Sequence, residues 1–369
     1  MFFCLLFPVF ILFGCQENAN TPHSVFAPEA GSPTPEEETI VKETAPVFPL
    51  DPGPRVYVNG IEIMPTGTDG TTCFVPGKVL AQMLGGAGIS LDINTAKLNW
   101  NGSELPCSVS PVPFGEELYV PLRDVCQFLG ISVLWDEPEY TVYCTSLPDS
   151  GIPKGHSVPV LMYHALGNEP WGIESLFVRP KDFERHLIYL TENGYDPIFF
   201  EDLCHVDEYD KPVILTFDDG YTDNYTELFP LLQKYGVKAT VFLVSGSMDQ
   251  GEFYLTTDQI REMADSGLVS FQSHTVTHPY LDTLTAEEQR HELEQSRLEV
   301  ARLTLREPFV LAYPSGRYNE DTLAQANGLY TFALRSGGGL YTTGSNPLLI
   351  PRFFIGRDTS MEVFRYYIS

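Results

Sequence analysis

Two adjacent carboxylates, Asp218 and Asp219, close the segment Thr216-Phe217-Asp218-Asp219-Gly220, directly after the apolar run Val213-Ile214-Leu215. Carboxylates that follow a buried strand are costly unless they bind something. Neighbours in an extended strand point to opposite faces, so both can serve one site only where the chain turns, and Gly220 permits that turn. The competing reading is that one Asp caps the next helix while the other faces water. A second cluster, His274-Thr275-Val276-Thr277-His278, puts two imidazoles four residues apart and so on one side in a helix or a strand. Three β-branched residues between them and Pro279 after them argue against a helix, and no Glu follows His274 as in the HExxH zincins. Two neutral imidazoles and one carboxylate suit zinc, and three protein ligands with an open position mark a catalytic site. A purely structural histidine pair is the alternative. A third segment, Leu311-Ala312-Tyr313-Pro314-Ser315-Gly316, is a Pro-x-Gly turn whose backbone N–H groups could face an oxyanion.

The elements that must position these residues alternate in type. Val158–Met162, Val213–Phe217, Lys238–Ser245 and Val269–Ser273 read as strands, most of them continuous apolar runs of the kind buried on both faces. Between them, Pro180–Asn193 reads as a helix with Pro in its first turn, and Thr285 with Glu288 forms a capping box opening a helix to about Leu305. Alternating β and α over about 200 residues predicts a parallel sheet, open or closed into a barrel, with ligands at the C-terminal edge of its strands. All three chemical clusters fall at such edges.

The remainder of the chain is of a different kind. Asp and Glu number 49 against 22 Lys and Arg, a net charge of −27, which speaks against nucleic acid and anionic lipid as partners and tolerates a neutral or cationic sugar polymer. Met1–Gly14 is almost wholly apolar yet short of the roughly 20 residues a spanning helix needs. It fits a signal peptide, without the usual basic residue in front, and Leu12-Phe13-Gly14-Cys15 resembles the cleavage box of bacterial lipoproteins. That places residues 1–15 as signal peptide and lipidated Cys15, on a chain held outside the cytoplasm at the bacterial cell membrane. Residues 16–54, rich in Pro, Glu, Thr and Ser, read as a flexible tether. Of the other cysteines, Cys73, Cys107, Cys126 and Cys144 could form two disulfides in an oxidising exterior. Over residues 55–146 a pattern occurs twice: Phe74-Val75-Pro76 leading to Gly85, and Tyr119-Val120-Pro121 leading to Gly130, each with a short amphipathic segment between. Strand, helix and strand, duplicated, make this a small α+β repeat domain.

That repeat resembles the domain named for the N-terminus of copper amine oxidases, although no copper ligands are visible, and the resemblance implies a stalk. Residues 155–369, with the Asp-Asp, His-x-x-x-His and Pro-x-Gly segments in this order, resemble the polysaccharide deacetylases, carbohydrate esterase family four. The resemblance implies a distorted (β/α) barrel and a metal-dependent hydrolase that removes N-acetyl groups from an extracellular N-acetylglucosamine-containing polysaccharide, peptidoglycan or poly-N-acetylglucosamine. It also implies the roles: Asp218 as the base activating the attacking water, Asp219, His274 and His278 as ligands of a divalent metal, and the Ser315 N–H as an oxyanion donor. Zinc is the expected metal, with cobalt or nickel as substitutes. Departures are visible. No Arg precedes the Pro turn, Ser315 stands where Tyr is usual, and no late Leu-x-His supplies an acid. Instead Leu161-Met162-Tyr163-His164 resembles the permuted branch containing poly-N-acetylglucosamine deacetylases. That makes His164 the candidate acid, or else a satisfied core histidine, and Arg352 the candidate substitute for the missing Arg, or else an ordinary ion pair. An O-acetyl esterase of the xylan type, or a sugar-binding surface lipoprotein with a lapsed site, are the rival readings. Trp171, in the loop after His164, could stack on a sugar ring or belong to the core.

Overall fold

The computed structural model describes residues 48–84, 88–146 and 151–369, so the leader with Cys15, the tether up to residue 47 and Gly85 of the repeat lie outside the described residues. The amino-terminal domain runs β1 (Arg55–Val58), β2 (Ile61–Ile63), β3 (Cys73–Pro76), α1 (Gly77–Met83), β4 (Glu117–Pro121), α2 (Leu122–Leu129), β5 (Ile131–Asp136) and β6 (Thr141–Ser146). The duplicated Val-Pro strands β3 and β4 pair antiparallel with Val75 opposite Val120. Each leads straight into its helix through a proline, Pro76 or Pro121. A proline there has no N–H to leave unpaired at the helix start. The second helix ends on Gly130 at φ 68°, the left-handed cap that glycine adopts without strain. A second sheet, in the order β5-β6-β1-β2, completes the domain, and Val56, Val75, Val120, Val125 and Cys126 are among the residues of its core. The two disulfides permitted by the sequence are not formed: Cys73, Cys107, Cys126 and Cys144 are free, and the nearest sulfurs, of Cys126 and Cys144, stand 3.8 Å apart. Cys126 and Cys144 are buried and fill space as small apolar groups.

The second domain carries β7 (Val160–Tyr163), α3 (Pro180–Glu192), β8 (Pro212–Phe217), α4 (Phe229–Tyr235), β9 (Ala239–Leu243), α5 (Thr257–Asp265), β10 (Val269–Ser273), α6 (Ala286–Thr304), β11 (Val310–Ala312), α7 (Glu320–Ala326), β12 (Phe332–Leu334), β13 (Phe353–Phe354) and α8 (Met361–Ile368). Its strands pair in parallel in the order β12-β11-β10-β9-β8-β7-β13. The segment leading into β13 bridges back to β12 and the loop after it, Ile350 to Leu334 and Arg352 to Gly337, which curls the sheet into an irregular barrel. Every residue of β7, β9, β11 and β12 is buried, as strands covered on both faces require. The helix α6 opens at the capping box, with Thr285 accepting from the Glu288 N–H, and ends on Leu305 in the left-handed conformation.

The two domains are in contact along α6. Asp136, fully buried, accepts two hydrogen bonds of 2.7 Å from the Arg302 guanidinium. Tyr57 and Tyr143, stacked at 5.8 Å, form one apolar cluster with Ala301, and the Glu307 N–H donates to Thr145 Oγ1 at 3.0 Å. The repeat domain read as a stalk therefore lies directly against the barrel.

Candidate active site and metal centre

Because the barrel strands run parallel and in near-consecutive order, the residues that leave their C-terminal ends meet. His164 follows β7, Asp218 and Asp219 follow β8, His274 follows β10, and Tyr313 to Gly316 follow β11. Asp219, Thr275, His278 and Ser315 all have positive φ, 77°, 66°, 58° and 55°, a strained conformation for residues with a Cβ. Such strain gathers where the surrounding structure holds a site in place.

The ligand atoms converge. Asp219 Oδ1 lies 3.6 Å from His274 Nε2 and 3.7 Å from His278 Nε2. Donors about 2 Å from one tetrahedral ion would be roughly 3.4 Å apart, so this spacing fits a single divalent cation. His274 Nδ1 sits 2.7 Å from the Ala312 carbonyl, which can only accept. The ring proton is thereby fixed on Nδ1 and the Nε2 lone pair is left for a metal. Burial holds His274 below the usual histidine range, against the pull of Asp218 and Asp219, so the ring stays neutral. Asp219, His274 and His278 are the metal-type cluster among the described residues.

Asp218 is buried beside this cluster. Arg352, 1% exposed, reaches it from the strand side: Nη1 donates to Oδ1 at 2.6 Å and Nη2 to Oδ2 at 2.8 Å. Thr216 Oγ1 accepts a further bond from Nη1 at 3.2 Å, and the guanidinium lies over the Phe242 ring. Burial alone would raise the Asp218 carboxyl. The Arg352 cation, with His274 and His164, outweighs it and holds the carboxyl well below the usual range. Asp218 Oδ2 is 3.9 Å from His274 Nε2 and 4.0 Å from His164 Nε2, so His164 and the metal cluster flank one carboxylate. His164 is mostly buried, its ring edge-on to Phe354 at 6.0 Å, and its Nδ1 has no protein partner. Ser315 is exposed in the Pro314–Gly316 turn, three residues after the Ala312 carbonyl that holds His274.

Several residues that shape the site were not singled out in the sequence. Glu292 of α6 accepts from the N–H groups of Val276 and Thr277 at 2.8 and 3.0 Å and from Thr277 Oγ1 at 2.7 Å, clamping the loop between the two histidines. Asn224 donates to the His164 carbonyl at 3.1 Å, and Asp223 accepts from the Leu166 N–H at 2.9 Å, so both sides of His164 are tied to the chain after Gly220. These lie in polar helical stretches where a buried acid looks like a solvated one. The Thr216 hydroxyl, inside an apolar strand, was the one local signal that a polar partner was needed.

Residues 205–331 match the family model described as "Polysaccharide deacetylase", and residues 75–144 match "Copper amine oxidase N-terminal domain". Among curated proteins, "Putative polysaccharide deacetylase YxkH" of Bacillus subtilis is 38% identical over 222 residues, covering 58% of this chain and 77% of its own length. The "Poly-beta-1,6-N-acetyl-D-glucosamine N-deacetylase" of Escherichia coli K12 is 26% identical over 257 residues, 56% of this chain but only 38% of that protein. The crystal structure of BC0361, a polysaccharide deacetylase from Bacillus cereus, superposes with a TM-score of 0.55 at 33% identity, covering 58% of this chain and 70% of the other.

Proposed function

Because this chain belongs to the polysaccharide deacetylase family, we propose that it hydrolyses N-acetyl groups of an extracellular N-acetylglucosamine-containing polysaccharide, in a reaction that depends on a divalent metal. It is a hydrolase acting on carbon–nitrogen bonds. The observation that carries the reading is the convergence of Asp219, His274 and His278 beside an Asp218 carboxylate held ionised by Arg352. Poly-N-acetylglucosamine and peptidoglycan are the substrates favoured, the former because a relative is named for it.

The chemistry asks each residue for one task. A divalent cation held by Asp219, His274 and His278, zinc by its donor set, would polarise the acetyl carbonyl and acidify the attacking water. Asp218 takes a proton from that water as its oxygen bonds to the carbonyl carbon. Arg352 keeps the carboxylate oriented and ionised, and the buried fork is why the missing Arg before the Pro turn is no sign of a lapsed site. The Ser315 N–H, in a turn strained into position, donates to the developing oxyanion. His164, 4.0 Å from Asp218, gives the proton that the sugar nitrogen needs as the C–N bond breaks, leaving acetate and an amine. Lipidation at Cys15 would keep the enzyme at the outer face of the membrane, where such polymers lie.

Acetate release from chitin oligomers, β-1,6-linked N-acetylglucosamine polymer, peptidoglycan and acetylated xylan tests the reading. Release from an N-acetylglucosamine polymer that chelation abolishes and zinc or cobalt restores is expected. Full activity after exhaustive chelation would remove the metal from the mechanism, and release from xylan alone would make the chain an O-acetyl esterase. A Cys15→Ala change is expected to shift the chain from the membrane to the soluble fraction, and retention would count against the anchor.

A further inference from the structure

A run of aromatic side chains leads from the site to open solvent. Tyr221 stands two residues after Asp219, just beyond the Gly220 turn that ends the β8 motif. The Tyr221 ring meets Trp171 edge-on at 4.8 Å, and Trp171 lies against Phe253 at 4.6 Å with 36° between their planes. Phe177 supports Trp171 at 5.3 Å, and Tyr254 supports Tyr221 at 5.6 Å and through a backbone bridge. Trp171 is 45% exposed and Phe253 42%. They come from different loops, β7 to α3 and β9 to α5, so no local constraint forces two large rings to share the surface. Single exposed apolar residues need no explanation, but a contiguous patch that starts at a catalytic centre does.

Pyranose rings have an apolar C–H face and a rim of hydroxyls. The patch offers the match: flat π surface in the middle, with exposed carboxylates of Glu169 and Glu252 close by in the same two loops. Tyr221, in contact with Trp171 and two residues from Asp219, links the patch to the chain segment that carries the metal cluster. We propose that Trp171 and Phe253 form a stacking platform for a sugar ring of the polysaccharide that neighbours the ring being deacetylated. This rests on the deacetylase reading and adds to it that the enzyme grips a chain rather than a single sugar.

The test is the steady-state kinetics of the metal-loaded full chain on β-1,4- and β-1,6-linked N-acetylglucosamine oligomers, from monomer to hexamer. In the wild type KM is expected to fall with chain length. Trp171→Ala and Phe253→Ala are each expected to raise KM on the longer oligomers about ten-fold, the loss of one stacked ring, with kcat little changed. Trp171→Phe should recover most of the loss, and Trp135→Ala, an exposed ring of the amino-terminal domain, should change nothing. Should Trp171→Ala fail to fold by circular dichroism, Phe253→Ala carries the test. An unchanged KM, or the same rise on the monomer, overturns the platform. If the unchanged KM came with lost binding to phosphatidylglycerol vesicles, the patch would face a membrane instead; if with a lower molar mass by light scattering, a second copy. A wild type that releases acetate from no oligomer would overturn the deacetylase reading itself, and the platform with it.

Discussion

At the scale of single residues, the proposed mechanism divides the proton work between His164 and Asp218. Departure of a sugar amine requires protonation, because an amide anion is too basic to leave at neutral pH, and an imidazolium near its titration range can supply the proton. His164 Nε2 lies 4.0 Å from Asp218 Oδ2, the oxygen that His274 Nε2 approaches to 3.9 Å, and is the proposed donor. His164→Ala is expected to lose most N-deacetylation while keeping the metal and the fold. Its loss on an activated aryl acetate should be far smaller, since that leaving group needs no proton. Equal loss on both substrates, or loss of metal, would make His164 a structural residue or a ligand. Arg352 is the residue whose role the local sequence left most open. Its side chain is buried with a carboxylate, and a guanidinium buried this way is stranded without its partner.

At the scale of elements, α6 is a strut for the candidate metal site. Its Glu292 satisfies two backbone N–H groups of a loop held at positive φ on both sides, at Thr275 and His278. Glu292→Ala should therefore loosen His278 relative to His274 and weaken metal affinity about 10- to 100-fold, as removing an outer support of a metal ligand does. Competition with a chromophoric chelator measures it, and an unchanged affinity would show that the loop holds its own shape. The contact between α3 and α8 gives a pH prediction. His186 is buried, stacked on Phe364 at 4.0 Å, with its pKa lowered to about 4 by burial. The native state then binds fewer protons than the unfolded chain between pH 6.5 and 4, so stability falls as pH falls through that window. The upper bound is about 3 kcal/mol at acid pH. His186→Phe should flatten the dependence of the urea midpoint between pH 7 and 4.5, and a slope that persists would place the acid lability elsewhere.

At the scale of the whole molecule, the amino-terminal domain and the barrel share buried surface through Tyr57, Tyr143 and Ala301, and a buried carboxylate, Asp136, depends on Arg302 from the other domain. Arg302→Ala leaves that carboxylate without its cation, held by the Glu139 N–H alone. A destabilisation of about 2 kcal/mol is expected, discounted because Arg302 itself is partly exposed. Denaturation should show one transition in the wild type and a separated, earlier unfolding of the amino-terminal domain in the variant. An unchanged curve would mean that the domains are energetically independent.

What the sequence determined by itself was everything encoded locally. The apolar runs set the strands, Thr285 and Glu288 set the start of α6, and the acid and histidine segments after those runs carry the proposed base and the candidate metal ligands. A parallel sheet gathers strand C-termini at one edge, so a motif that ends a strand is already placed near the others. The tertiary structure alone decided what depends on distant pairing. Arg352, 134 residues from Asp218, reaches it only because the segment leading into β13 closes the barrel beside β7. Glu292 becomes a clamp only because α6 lies across the histidine loop. The thiols stay apart and the repeat domain docks through an Asp and an Arg in different domains, because such contacts follow from the relative placement of surfaces, which no local pattern specifies.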